Sequence, residues 1–278
     1  MAVPDVSVIV TTRNEENNIV ACLESARKQT YPSEKIELIV VDNNSTDNTK
    51  ASAKKYTDKV YNFGPERSAQ RNFGVRQASG KYILCLDADM MLSERVISEC
   101  VEKCEQERCG ALYIPERIIG EGSWIKVRDF ERSFYNATVI DCVRFVRKDT
   151  FLEVGGFDER LTGPEDWDFD RRIKAITKTD IIISPLKHNE EKFNLRYYIN
   201  KKHYYAHFFD AYISKWGRND KIIKKQLGFW YRYCGVFFED GKIFRIVFHP
   251  LLALQMYFLR SLVGIMYVVS DKQQKGPF

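Results

Sequence analysis

Short apolar runs alternate with amphipathic, helix-like stretches through the first 110 residues of this chain. The apolar runs are rich in β-branched residues, and turn or helix-cap residues separate them from the stretches between. Strands and helices that alternate at this spacing build a mainly parallel sheet with right-handed crossovers, so the sequence predicts an α/β fold. Strands are predicted at 6–10, 36–41, 60–63 and 82–87, and helices at 17–28, 46–56, 68–78 and 93–107.

The pattern becomes mixed after residue 110 and changes again near residue 190. Strands are predicted at 111–115, 140–146 and 181–184, and helices at 123–134 and 165–175. From Leu195 onward the sequence is helical, basic and strongly aromatic. We therefore predict one α/β domain at 1–190, with parts 1–110 and 111–190, followed by a helical C-terminal extension at 191–278.

The composition describes a folded chain with a small positive charge. Apolar residues make up 44% and charged residues 29% of the 278 residues, as in ordinary soluble proteins. Lys and Arg outnumber Asp and Glu by 43 to 38, and we interpret the basic region at 187–225 as a solvated helical face rather than a nucleic-acid surface. Seven cysteines without a CxxC pair predict a reducing, cytosolic compartment and no zinc site. The N-terminus lacks the basic segment of a signal peptide.

The last long apolar run, Leu251–Val269, follows Pro250 and is nearly continuous. Its length would just reach across a bilayer core, but Arg260 lies in its middle, where a charge is costly. We therefore favour peripheral membrane contact through Pro250–Val269, with the helix lying at the interface. A core or oligomer-interface helix, and a true membrane span, remain as alternatives.

The segment YILCLDADM places two carboxylates, Asp87 and Asp89, directly after a buried strand that begins at Tyr82. In open α/β sheets, ligands bind at the carboxyl ends of the strands. Two carboxylates this close repel each other, and a Mg²⁺ or Mn²⁺ ion held by carboxylates usually also holds a substrate phosphate. The local interpretation is a metal–phosphate site, and the alternative is a solvated turn rich in aspartate.

Other polar residues are expected at the same edge of the sheet. Thr11–Arg13 and Asp42 follow two further strands, and the pair Glu165-Asp166 opens a helix. Arg71 lies on the helix before the Asp87 strand and could pair with a diphosphate. Taken singly, Asp42 could be a turn residue and Arg71 a member of a surface ion pair, but the coincidence of all these positions is more specific.

Four blocks of the sequence, in order, resemble those of one enzyme family. They are VSVIVTTRNEENNI, ELIVVDNNSTDNT, SAQRNFGVRQASGKYILCLDADM and GGFDERLTGPEDWDFDRR. The chain is similar over about 5–175 to inverting glycosyltransferases of family 2, which have the Rossmann-like GT-A fold. A weaker similarity continues through His188 and the Lys201–Tyr205 run.

The resemblance implies roles for particular positions. The loop with Thr11, Thr12, Arg13 and Glu15, together with Asp42, would hold the nucleotide, and Arg71 would lie near its diphosphate or base. Asp87 would contact the ribose or the metal, Asp89 would bind the metal directly, and His188 would be a further metal ligand. Asp166 would be the general base, with Glu165 as the alternative carboxylate. Trp167 would stack on the acceptor sugar or merely pack. Asn43 replaces an aspartate of many relatives, which bears on base preference only.

The resemblance also implies the reaction and its partners. The chain would move a sugar, with inversion, from a UDP- or GDP-sugar to the hydroxyl of an acceptor, using Mn²⁺ or Mg²⁺. The apolar, Arg-containing C-terminal helix and the basic region before it, rather than the resemblance, indicate a lipid-linked or polysaccharide acceptor. The 1–110 part would bind the donor and the 111–190 part the acceptor. The cysteine content and the helix at Pro250–Val269 together predict a location at the cytoplasmic face of a membrane. Transfer to a soluble acceptor, a metal-dependent nucleotidyltransferase and an inactive sugar-nucleotide-binding module are the alternatives.

Overall fold

The computed structural model describes residues 4–274, with side chains described as far as residue 266. The chain divides into two compact units. Within the described residues, the first unit comprises 4–117 and 141–189, and we call it the sheet unit. The second comprises 118–140 and 190–274, and we call it the helical unit. The predicted functional division at residues 110 and 190 stays a prediction.

A seven-stranded sheet forms the centre of the sheet unit, and it is mainly parallel as the sequence predicts. The strand order is β3-β2-β1-β4-β8-β6-β9, with β8 antiparallel to both of its neighbours. A second sheet has the order β5-β10-β7. The strands are β1 Val6–Thr12, β2 Ile36–Asp42, β3 Val60–Asn62, β4 Tyr82–Asp87, β5 Met90–Leu92, β6 Ala111–Tyr113, β7 Glu116–Glu121, β8 Phe145–Arg147, β9 Thr179–Ile181 and β10 Leu186–Lys192.

The register of the central strands brings the predicted polar residues side by side. Strand β1 is buried along its whole length, as expected for a β-branched strand with neighbours on both edges. It pairs in parallel with β2 and β4, so that Thr12 lies opposite Asp42 and Thr11 lies opposite Asp87. The polar residues that follow these apolar strands therefore share one edge of the sheet.

Helices cover this sheet close to the predicted positions. Within the described residues of the sheet unit they are α1 Ile19–Arg27, α2 Thr49–Ala53, α3 Arg67–Gln77, α4 Val96–Glu107, α6 Lys148–Glu153 and α7 Glu165–Ile176. Helix α1 buries Ile19, Cys22, Leu23 and Ala26, which recur at helical spacing. Helix α7 begins directly after Pro164, so its first turn carries Glu165 and Asp166.

Two predicted strands are wrong in extent, because side chains take the backbone donors that a neighbouring strand would otherwise use. Only residues 145 and 146 of the predicted strand 140–146 lie in a strand, which is β8, Phe145–Arg147. Before it, the N–H of Val143 donates to Asp170 Oδ1 at 3.2 Å. The predicted strand 181–184 ends at Ile181, since the N–H groups of residues 183 and 184 donate to Glu99 Oε2. The short strands β5, β7 and β10 were not predicted.

The helical unit has its own apolar core. Its described helices are α5 Ser123–Arg132, α8 Leu195–Ala206, α9 Phe209–Trp216, α10 Lys221–Leu227, α11 Val236–Phe238, α12 Ile243–Phe248 and α13 Pro250–Gln274. Side chains of α5, α11 and α13 form one buried cluster that includes Phe130, Phe237 and Met256. This core explains why the aromatic sequence after residue 195 folds into helices that pack on one another.

The apolar run at 251–269 belongs to α13, which has a buried side and an exposed side. Met256 and Leu259 are fully buried, whereas Leu251 and Leu254 are mostly exposed. Arg260 is buried, and its Nε donates to Glu131 Oε1 of α5 at 3.1 Å. Side chains 267–269 of the predicted membrane-contact run lie outside the described residues. Among the described helices, none is both long enough and apolar enough to cross a membrane.

Candidate active site

The ends of β1 and β2 form a buried polar corner. Asp42 is fully buried, and its Oδ1 accepts from the backbone N–H of Ser45 at 2.8 Å. Asp42 Oδ2 and Thr12 Oγ1 are buried without a hydrogen-bond partner in the described part of the chain. Buried polar atoms are nearly always hydrogen-bonded in proteins, so these two neighbouring oxygens are suited to a ligand that brings hydroxyl or amide donors.

A side chain from α3 holds this corner in place. Gln70 is buried, and its side-chain amide donates to the carbonyl oxygens of Thr12 at 3.1 Å and Val41 at 2.6 Å. It thereby ties the ends of both strands to one helix. The sequence did not predict a role for Gln70, because a helical glutamine carries no signal of the strand it contacts.

The two predicted donor-binding residues in the loop after β1, Arg13 and Glu15, have different surroundings. Arg13 is exposed at the surface of the sheet unit. Glu15 is half-buried, with its backbone N–H on Thr49 Oγ1 at 2.8 Å and its Oε2 accepting from the Asn18 side chain at 2.8 Å. Glu15 therefore fixes the local loop, whereas Arg13 is accessible to a ligand.

Arg71 links the end of β4 to the start of α7. Its guanidinium donates through Nη2 to Asp87 Oδ1 at 3.0 Å and through Nη1 to Asp166 Oδ1 at 2.7 Å. Its side chain is only 2% exposed and lies 5.0 Å from the centre of the Phe157 ring. Residues 87 and 166, far apart along the chain, are thus held on one cation. Both terminal nitrogens of Arg71 thus contact carboxylates, and its predicted place near the diphosphate or base stays a prediction.

Arg67, one helical turn before Arg71, makes a second link between the same elements. Its Nη2 donates to Glu165 Oε1 at 3.2 Å, and its Nη1 lies 3.7 Å from Asp87 Oδ2. The sequence analysis missed Arg67, although the i, i+4 spacing places both arginines on one face of α3.

The electrostatics of this cluster differ between its carboxylates. Burial raises the pKa of Asp87, but the guanidinium groups of Arg71 and Arg67 outweigh it and hold that pKa well below its usual range. Burial, together with the charge of Asp166, raises the pKa of Glu165 above its usual range. The Glu165 side chain is 2% exposed, whereas that of Asp166 is 31% exposed. Asp166 is thus the more accessible of the two carboxylates. Trp167, next along α7, is half-buried.

The second aspartate of the DxD segment lies beside a histidine from β10. Strand β10 pairs antiparallel with β5, and the N–H of Asn189 donates to the carbonyl of Asp89 at 2.8 Å. His188 Nε2 is 3.1 Å from Asp89 Oδ2, and Nδ1 is 2.9 Å from Glu116 Oε1. Burial lowers the pKa of His188, but the two carboxylates outweigh it and raise the pKa to about 10. A cation bound at Nε2 would therefore replace a proton that the ring otherwise carries at neutral pH.

These residues fit a divalent cation. Asp89 Oδ1 is buried and has no hydrogen-bond partner within residues 4–274, so one carboxylate oxygen is left for another group. A carboxylate and an imidazole whose second nitrogen is held by a carboxylate are common ligands of Mn²⁺ and related ions. The pair Asp89 and His188 would hold the ion, with Asp87 two residues away along the chain.

Another group of potential ligands lies elsewhere in the sheet unit. Glu107, Cys109 and Asp180 have ligand atoms within 4.8 Å of one another. Lys103 Nζ already lies 3.4 Å from Glu107 and 3.1 Å from Asp180, and Lys178 also pairs with Glu107. Ammonium groups therefore already balance these carboxylates, and we assign no ion to the group.

The family model described as glycosyl transferase family 2 matches residues 7–156, which is more than half of the chain. The chain belongs to glycosyl transferase family 2. The matched range contains the corner at Asp42, both arginines and both aspartates of the DxD segment, whereas Glu165, Asp166 and His188 lie beyond it.

Individual members of family 2 are similar to parts of the chain. Glycosyltransferase AglE of Haloferax volcanii is 41% identical over 93 residues, or 31% of this chain and 31% of AglE. The poly(ribitol-phosphate) β-N-acetylglucosaminyltransferase TarS of Staphylococcus aureus is 26% identical over 225 residues, or 75% of this chain and 37% of TarS. The chain thus spans about a third of the length of these curated relatives.

Solved structures show the fold. The mannosyltransferase PcManGT from Pyrobaculum calidifontis, determined in complex with GDP-Man and Mn²⁺, superposes with a TM-score of 0.63 at 18% identity. The match covers 96% of this chain and 85% of PcManGT. The predicted GT-A fold is therefore confirmed.

Proposed function

We propose that this chain is an inverting glycosyltransferase that moves a sugar from a UDP- or GDP-sugar to the hydroxyl group of an acceptor. The observation that carries the proposal is the double contact of Arg71 with Asp87 and Asp166. It brings a carboxylate of the DxD segment and an accessible carboxylate at a helix N-terminus onto the two terminal nitrogens of one guanidinium. Donor and acceptor chemistry can then occur at the same edge of the sheet.

The donor half of the reaction uses the polar corner and the DxD segment. Thr12 and Asp42 would accept hydrogen bonds from the nucleoside, with Thr11 holding Asp87 through a 2.9 Å hydrogen bond to Oδ1. Asp89 and His188 would hold Mn²⁺ or Mg²⁺, with Asp87 as a further candidate ligand. When bound, such an ion neutralises the charge that develops on the leaving diphosphate.

The acceptor half depends on Asp166. As the acceptor oxygen attacks the anomeric carbon, Asp166 would take the hydroxyl proton, while the bond to the diphosphate breaks and its electron pair leaves with the nucleoside diphosphate. Attack from the face opposite the leaving group inverts the anomeric centre. Its greater exposure supports Asp166 over Glu165 as the base, since Glu165 is buried beside Arg67. Trp167, in the same turn, would contact the acceptor sugar.

We assign a lipid-linked or polysaccharide acceptor on two grounds. The first is the name of TarS, which describes transfer to poly(ribitol-phosphate). The second is the surface of the helical unit, where large apolar side chains are exposed; they include Phe244, Val247, Phe248, Leu251, Leu254 and Phe258. Counted over the full sequence, residues 118–140 and 190–278 have 18 Lys and Arg against 10 Asp and Glu, a net charge of +8, whereas residues 1–117 and 141–189 have 25 against 28, a net charge of −3. Apolar side chains and excess positive charge together favour peripheral contact with an anionic membrane.

The product identifies the reaction. The chain is incubated with UDP-, GDP- and dTDP-sugars, Mn²⁺ and lipid or polysaccharide acceptors, after a thermal-shift screen selects the donors that bind. Release of a nucleoside diphosphate with formation of a glycosylated acceptor is expected. Pyrophosphate release would instead identify a nucleotidyltransferase. Donor binding without either product, across the acceptor panel, would identify an inactive binding module.

A further inference from the structure

Glu116 and Arg144 form a buried extension of the candidate metal site that the sequence analysis did not predict. Glu116 is 5% exposed and begins β7 directly after Pro115. The carbonyl of Pro115 accepts from the N–H of Leu186 at 2.9 Å, which brings the start of β7 beside the start of β10. The backbone therefore determines that residue 116 lies near residue 188.

The side chains continue this arrangement as a chain of four groups. Arg144 Nη2 donates to Glu116 Oε2 at 3.1 Å, and Glu116 Oε1 lies 2.9 Å from His188 Nδ1. The other ring nitrogen, Nε2, then faces Asp89 at 3.1 Å. Each Glu116 oxygen thus has its own partner, and the order is Arg144, Glu116, His188, Asp89.

Arg144 is itself fixed by the central sheet. Its backbone N–H donates to Leu112 of β6, and its carbonyl accepts from Cys85 of β4, both at 3.0 Å. The Arg144 side chain is 13% exposed, so water competes little with Glu116 for its guanidinium. Bonding to Arg144 restricts rotation of the Glu116 carboxylate and leaves Oε1 directed at the histidine.

We propose that Glu116 is a positioning residue, held by Arg144, that orients the His188 ring so that Nε2 faces Asp89 and a bound divalent cation. The inference rests on the proposed function, because it concerns the metal that the transfer reaction would use. A histidine ligand commonly donates its second N–H to a carboxylate, which fixes the ring and makes the ligand nitrogen more basic. Glu116 would act in this way through Nδ1, without touching the substrate.

Mn²⁺ affinity, measured without donor or acceptor, tests the assignment. Free Mn²⁺ is quantified by electron paramagnetic resonance in titrations of the wild-type chain, Glu116→Gln and the control Glu121→Gln, which alters an exposed glutamate of the same strand. We expect Glu116→Gln to weaken Mn²⁺ binding by roughly 10- to 100-fold, and Glu121→Gln to bind like the wild type. Equal affinity of all three proteins, or no binding by the wild type, would overturn the proposal.

A double-mutant cycle separates positioning from general damage to the fold. If Glu116 acts through the ring, Glu116→Gln should have little further effect on Mn²⁺ affinity in a His188→Ala background. An equally large loss in both backgrounds would contradict the proposal. Melting temperatures are recorded for each protein, and Glu116→Asp replaces Glu116→Gln if the latter does not fold. If the wild-type chain transfers sugar and Glu116→Gln binds Mn²⁺ as tightly as the wild type, this inference alone is refuted. If the wild-type chain binds Mn²⁺ but forms no transfer product, the proposed function is refuted.

Discussion

Arg71 lies buried between Asp87 and Asp166, and a buried guanidinium is stable only while carboxylates remain beside it. Its two terminal nitrogens donate to these two carboxylates and thereby link β4 to α7. Asp166 therefore has two roles in our proposal. One oxygen accepts a hydrogen bond from Arg71, and the partly exposed side chain would take the proton of the acceptor hydroxyl. A substitution at residue 166 should keep the hydrogen bond from Arg71 if the loss of proton transfer is to be measured separately.

Asp166→Asn meets that requirement. The amide oxygen can still accept from Arg71, but the side chain can no longer take a proton from an acceptor hydroxyl. We expect turnover to fall by roughly 10²- to 10⁴-fold, with donor affinity near that of the wild type. Steady-state kinetics and donor titration measure the two quantities. Asp58→Asn, an exposed aspartate of the same unit, should leave both unchanged, and similar turnover in Asp166→Asn would mean that another group is the base.

Asp170, farther along α7, gives a pH-dependent contribution to stability. It accepts from the Tyr113 hydroxyl and from the Val143 N–H, and burial raises its pKa from 3.8 to about 6, although Lys174 opposes the shift. A raised carboxyl pKa means that the native state binds the proton more tightly than the unfolded state. The stability from Asp170 is therefore complete below about pH 4 and is lost as the pH rises through about 6.

Asp170→Asn should remove this dependence. Between pH 4 and pH 7, the free energy of unfolding of the variant should rise relative to the wild type by on the order of 3 kcal/mol. Urea denaturation at a series of pH values measures the difference. The exposed variant Asp58→Asn is the control and should show a nearly constant difference. A flat difference for Asp170→Asn as well would show that Asp170 has an ordinary pKa in the native state.

At the scale of elements, the packing of α13 against α5 explains why a charged residue, Arg260, lies within an apolar helix. Arg260 interrupts an apolar run, which in the sequence argued only against a membrane span. In the structure its guanidinium contacts Glu131 and the hydroxyl of Tyr135, and Glu131 also pairs with Arg128. The charge therefore belongs to a buried network that joins α13 to α5, and the residue is part of the core of the helical unit.

Removal of this arginine should destabilise the helical unit. Arg260→Met keeps the apolar stem but leaves Glu131 with one arginine fewer. We expect the free energy of unfolding to fall by roughly 3 kcal/mol, measured by urea denaturation. Arg218→Met changes an exposed arginine of the same unit and should alter stability by less than about 0.5 kcal/mol. Equal stability of the two variants would show that the Glu131 network does not depend on Arg260.

The central elements could be predicted because their patterns are local. Strands such as Val6–Thr12 consist mostly of β-branched residues, and parallel pairing places the residues at their ends along one edge, which is why Asp42 and Asp87 could be predicted. The strand-end rule that found these residues would also have found Glu116, since it directly follows a predicted strand. Arg71's contact with Asp166 depends on packing between distant segments, and no spacing in the sequence encodes it.

At the scale of the whole chain, charge and exposed apolar surface are concentrated in one unit. The overall net charge of +5 conceals a net charge of +8 on residues 118–140 and 190–278 and of −3 on residues 1–117 and 141–189. From the sequence alone, the basic region at 187–225 is interpreted only as a solvated helical face. Exposure of the apolar residues on α12 and α13 beside that charge is what makes the membrane proposal more specific than composition alone.

Vesicle sedimentation tests the membrane proposal. The wild-type chain should sediment with vesicles that contain anionic lipid, less so at high salt and least with neutral vesicles. Replacement of Phe244, Phe248, Leu251 and Leu254 by serine leaves the charge unchanged and should abolish most of the sedimentation. The control replaces Leu152 and Ile183, two exposed apolar residues of the sheet unit, and should bind like the wild type.

Unchanged sedimentation of the quadruple serine variant would refute the assignment of this surface to lipid. A wild-type dimer in the absence of lipid, with a monomeric variant, would assign the surface to a second copy of the chain instead. Analytical ultracentrifugation distinguishes these outcomes.

The anchoring of Arg260 to Glu131 restricts how α13 can approach lipid. The side that carries the arginine is occupied by protein, so only the side with Leu251 and Leu254 is available. Attachment would then be shallow, about one side chain deep, and the helix would keep its fold on arrival and on departure.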